Sequence, residues 1–130
     1  MNRSTTILLA AALAAPLAAH AQKDLGNIVG GGLGTAECSG FVEAMARAKS
    51  QPSGATGYSS EVQGYAMYLS GFQTAYNLQT PQTCDIFAGW NNNQILERIE
   101  KFCGDNPQAR FANGVIALAK ERYPKRSKKC

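Results

Sequence analysis

Residues 93–123, NQILERIEKFCGDNPQARFANGVIALAKERY, decide the fold. The first part places Ile95, Leu96, Ile99, Phe102 and Cys103 at steps of three and four, with Glu97, Arg98, Glu100 and Lys101 on the opposite side. That is the period of a helix with one apolar stripe and a charged outer face. The spacing predicts a helix over 93–103 with Gly104 as its C-terminal cap, since glycine adopts the left-handed conformation in which many helices end. Asn106-Pro107 then offers an N-cap and a first-turn proline. A last helix is expected from there to Pro124, with Phe111, Val115, Leu118, Ala119 and Tyr123 inward.

The same period extends toward the N-terminus. Val62, Tyr65, Ala66, Leu69, Phe72 and Tyr76 form the stripe of a helix over 60–78, opening at a capping box of Ser60 and Gln63. Gly64, Gly71 and Ala75 make a second face without bulk. Each glycine costs about 1 kcal/mol inside a helix, so close approach of another helix is expected there. Cys38, Phe41, Val42, Met45 and Ala48 mark an earlier helix over 36–49, behind a Thr35 cap and ended by SQPSGATG at 50–57. No segment alternates strictly enough for a strand. The fold class is therefore all-α: a single small domain of about four helices.

The first 21 residues read as a cleaved signal peptide. Arg3 supplies a positive start, Ile7 to Ala15 a short apolar run, and Ala19-His20-Ala21 a small-x-small cleavage site. The run is too short to span a bilayer, which takes roughly 20 apolar residues, and no transmembrane segment is expected later in the chain. Residues 22–34 form a glycine-rich leader, 35–124 the helical domain and 125–130 a basic C-terminal tail. Export implies the periplasm and an oxidising compartment, so Cys38, Cys84, Cys103 and Cys130 are expected as two disulfides. Three pairings are open. Placement favours Cys38 with Cys103, both on apolar stripes, and Cys84 with Cys130, a loop and a polar tail.

Export also removes chemistry. The single histidine, His20, lies in the signal, so the mature chain lacks a histidine base and the commonest metal ligand. The cysteine spacings contain no CxxC, and GGGLG at 30–34 follows no strand and lacks a P-loop Lys-Ser/Thr pair. No metal, cofactor or nucleotide is expected, and the protein reads as a non-enzyme. The remaining enzymatic option, a carboxylate-dependent lytic activity on the cell wall, would turn on Asp85.

The connection 79–91, QTPQTCDIFAGWN, is long for a compact domain and holds Asp85, Phe87 and Trp90. These three are the candidate binding residues, because aromatics on a braced loop bring contact area at little ordering cost. Alternatively, Ile86, Phe87 and Trp90 fold back over the core. Residues 120–129 carry six bases and one acid, whereas 22–119 carry six bases and eight acids. The tail can make a weak contact with an anionic surface, or serve only to complement the final helix dipole.

The string YLSGFQTAYN at 68–77, the Asp85-Ile86 pair and ILERIEKFCGDNPQARFANGV at 95–115 resemble small periplasmic all-helical proteins. The likeness is to the HdeA-like acid-stress chaperones and to the immunity proteins that neutralise type VI amidases (Tai-like), over residues 36–124. It implies a helical scaffold with a cysteine-tied helix and no catalytic residue. Two features depart from it: Cys130 follows Pro124 by six residues, and acidic side chains are few. The expected function is a periplasmic protein-binding module, an inhibitor or immunity-like protein whose partner is another periplasmic or secreted protein. The alternative is an acid-stress chaperone.

Overall fold

A computed structural model describes residues 32–50 and 60–130. The expected signal peptide, most of the expected leader and most of the turn expected at 50–57 lie outside the described residues. The domain is all-α. Four helices, α1 (Cys38–Lys49), α2 (Ser60–Gln79), α3 (Asn92–Asp105) and α4 (Phe111–Arg122), are flanked by short 3-10 turns at Leu33–Thr35 and Tyr123–Lys125. α1 packs chiefly on α3, α3 on α4 and α2 on α1, while the first 3-10 turn is wedged between α2 and α4.

The stripes read from the sequence build the core. Phe41, Met45, Val62, Leu69, Ile95, Leu96, Ile99, Phe111 and Val115 are all essentially inaccessible. At the centre Phe111 meets Phe41 at 4.6 Å, Tyr65 at 4.8 Å and Tyr68 at 5.8 Å between ring centroids. Burial pushes the Tyr68 phenol above its ordinary pKa. Both favoured disulfides are present: Cys38–Cys103 ties α1 to α3, and Cys84–Cys130 ties the long connection to the tail.

Several boundaries differ from expectation. α4 begins at Phe111, not at Asn106-Pro107. The intervening backbone is instead recruited by α1, whose Cys38 and Ser39 N–H groups donate to Ala109 and Pro107 carbonyls at 2.8 and 3.1 Å. Those are unsatisfied first-turn donors, and a carbonyl-bearing loop satisfies them as well as a side chain does. Accordingly Glu37, not Thr35, is the N-cap of α1, without a side-chain bond. Gly104 lies within α3, which runs on to Asp105 and ends at Asn106. Tyr123 is 40% exposed rather than inward, because the helix stops one residue before it. The Ser60 cap falls where side chains are not described.

The domain is also wider than 35–124. Gly34, expected in the loose leader, is buried against the Tyr68 ring, and Ser127 of the tail pairs with Asp85. The bare face of α2 is not a helix contact. Leu33 of the 3-10 turn covers Gly64, while Gly71 has nothing near it. A pair of substitutions separates the two glycine roles. Gly34→Ala drives a methyl into Tyr68 and should cost about 1–3 kcal/mol, whereas Gly71→Ala gains helix propensity in open space and should stabilise by about 0.5–1 kcal/mol. Urea unfolding of both variants measures this, and equal signs would contradict the assignment.

Candidate functional site

The connection between α2 and α3 is a built platform. Gln73 and Asn77, four residues apart on α2, both reach it: Gln73 Nε2 donates to Asp85 Oδ1 at 2.8 Å, and Asn77 Oδ1 accepts from the Ile86 N–H at 3.0 Å. Asp85 Oδ1 also accepts from the Phe87 N–H at 2.9 Å, closing a turn about its own side chain. The Trp90 N–H donates to the Phe87 carbonyl at 3.0 Å, and Gly89 supplies the positive φ of 81° that this tight turn takes. Asn91 and Gln94 then cap α3 reciprocally, at 3.0 and 2.9 Å.

From the other side, α4 and the tail hold the platform. Arg122 Nη2 donates to the Ala88 carbonyl at 2.7 Å while its guanidinium lies 4.4 Å from the Trp90 ring centroid. The Arg122 Nε is buried without a hydrogen-bond partner. Asp85 and Ser127 form an antiparallel bridge, with Ser127 N–H to Asp85 O at 2.8 Å and Cys84 N–H to Ser127 O at 2.8 Å. Arg126 Nε donates to Thr83 Oγ1 at 2.9 Å and to the Gln82 carbonyl at 3.2 Å. Its guanidinium also covers Tyr123, 3.8 Å from the ring centroid.

The three candidate residues therefore have different fates. Ile86 and Phe87 are fully buried in the core, so Phe87 has no surface to present to a partner. Asp85 is half-buried, with one carboxylate oxygen engaged by Gln73 and by its own turn. Trp90 is likewise half-buried, with one face under Arg122. Sequence reasoning missed Gln73, Asn77, Arg122 and Arg126. The signal for the first pair was present: two amides at i and i+4 on α2, interleaved with Phe72 and Tyr76.

Among the described residues no three His, Cys, Asp or Glu side chains converge as metal ligands. A groove of about 190 Å³ between α3 and α4 is lined by Phe102, Leu118, Arg98, Lys101, Asp105 and Glu121 among others. Arg98 and Glu121 are paired there at 3.4 Å. No helix of the described chain is long and apolar enough to cross a membrane.

The most exposed apolar side chains lie elsewhere, on α2. Met67 is 69% and Leu78 79% exposed. Between them Ser70, Gly71, Thr74 and Ala75 are also exposed, and residues 62–79 contain no charge. Position counting places all six on one face of the helix.

The chain matches no family model, no curated protein and no solved structure. The resemblance to HdeA-like and amidase-immunity proteins is carried by its motif strings alone.

Proposed function

We propose that this chain is an exported protein-binding module of the inhibitor or immunity-like kind, and that the open face of α2 is its principal contact, with Trp90 as a second. The observation that carries this is the exposure of Met67 and Leu78 at the two ends of a charge-free helical face. Two large apolar side chains flanking four small ones suit the apolar face of a partner protein's helix, which can then approach the backbone closely. A rigid, doubly cross-linked scaffold lowers the ordering cost of such a contact.

The test compares wild type, Met67→Lys/Leu78→Lys and Trp90→Ala as baits in periplasmic extract. The partner recovered by wild type should fall by at least tenfold with the double variant and by less with Trp90→Ala. Unchanged helical content by circular dichroism shows that the loss is local. Equal recovery by all three baits would end the proposal.

A further inference from the structure

The basic C-terminal segment is held more firmly than a solvated tail needs to be. Of its charged side chains, Glu121 pairs with Arg98, while Arg122 and Arg126 turn inward onto the connection. Lys120, Lys125, Lys128 and Lys129 stay exposed without a hydrogen bond or ion pair. The backbone that carries the last three is fixed at Ser127 by the bridge to Asp85 and at Cys130 by the disulfide to Cys84. A helix dipole is felt only within its last turn, which accounts for Lys120 and Arg122 but not for the three lysines beyond Pro124. Nor does solubility call for anchoring a lysine-bearing segment.

We infer that this edge docks on anionic phospholipid headgroups, with Lys125, Lys128 and Lys129 as the headgroup contacts and Tyr123 at the interface. Lysines carried on an anchored backbone lose less chain entropy on meeting phosphates than lysines on a loose tail do. Tyr123 is 40% exposed and Trp90 half-buried, and both are ring types that favour the boundary between headgroup and water. Single-stranded nucleic acid would need free ring faces for base stacking, and here a guanidinium already covers one face of each ring.

The probe is sedimentation with vesicles of phosphatidylcholine alone or with phosphatidylglycerol as one third of the lipid, using the full oxidised chain. Binding is expected to the anionic vesicles only, and to weaken steeply when salt rises from 0.1 M to about 0.5 M. Each surface lysine is worth roughly fivefold, so Lys125→Gln/Lys128→Gln/Lys129→Gln should bind about a hundredfold more weakly at unchanged helical content. Cys84→Ala/Cys130→Ala keeps every charge and should still lose several-fold, because the segment is no longer held. Equal binding to neutral vesicles, no binding at all, or full binding by the triple-lysine variant would each overturn the inference. So would equal affinity for a poly-dT oligonucleotide at the same ionic strength, which would mark a generic polyanion site.

Discussion

Replacing Cys38 and Cys103 together by alanine should lower stability by about 4 kcal/mol, the chain-entropy value for a cross-link spanning 65 residues. For a domain of this size that is a fall in melting temperature of roughly 20 °C or more. Both cysteines are 0% exposed, and they join α1 to α3 where those helices pack. Their loss therefore frees a contact that the rest of the core depends on. Cys84–Cys130 spans 46 residues, which gives nearly the same loop entropy, about 4 kcal/mol. Its effect should nonetheless be local. It fastens an exposed tail to a connection that Gln73, Asn77 and Arg122 already hold, so the tail can open while the helices stay packed. Thermal melts of the two double variants, followed by circular dichroism, distinguish these outcomes. The expected result is a large downward shift for the first and nearly native helical signal and a smaller shift for the second. Equal shifts would show that the tail belongs to the cooperative core.

The second large effect is expected at Phe111. Its ring stands among Phe41, Tyr65 and Tyr68, and it joins α4 to α1 and α2. Phe111→Ala removes a fully buried ring and leaves a cavity on three sides, a change that costs about 3–5 kcal/mol. Phe111→Leu keeps most of the volume and should cost clearly less. Chemical denaturation of the oxidised variants measures both. An alanine variant within 1 kcal/mol of wild type would mean that the site collapses around the gap.

The helices were legible because their stripes are long and strictly spaced. Ile95, Leu96, Ile99 and Cys103 are buried where the 3.6-residue period put them, and so are Val62, Tyr65 and Leu69. The disulfide pairing was legible for a related reason, since cysteines on two core stripes meet when the stripes do. What escaped were matters decided by distant chain. Asn106-Pro107 has the local chemistry of a helix start, yet the carbonyls of Pro107 and Ala109 serve the first turn of α1, and α4 starts later. Gly34 reads as leader flexibility and Gly64 as a seat for another helix, yet in the fold Gly34 is covered by Tyr68 and Gly64 by Leu33 of the 3-10 turn. For the long connection the sequence leaves two readings open, a contact loop carrying Phe87 or a segment folded back over the core. The burial of Ile86 and Phe87 and the bonds from Gln73, Asn77 and Arg122 decide for the folded-back segment.

The start of α1 is stitched to the far end of the chain. Besides the Cys38 and Ser39 bonds, the Phe111 N–H donates to the Ala36 carbonyl at 2.9 Å. Arg110 Nη1 donates to the Thr35 carbonyl across 75 residues of sequence. For a helical protein this raises the contact order, and with it the share of the folding time spent on long-range docking rather than on helix growth. A chain emerging N-terminus first can pack α1 on α2 and α3, yet leaves the start of α1 without these backbone partners until residues 107–111 have followed. The seam between the start of α1 and the approach to α4 is therefore the part of the fold that closes last.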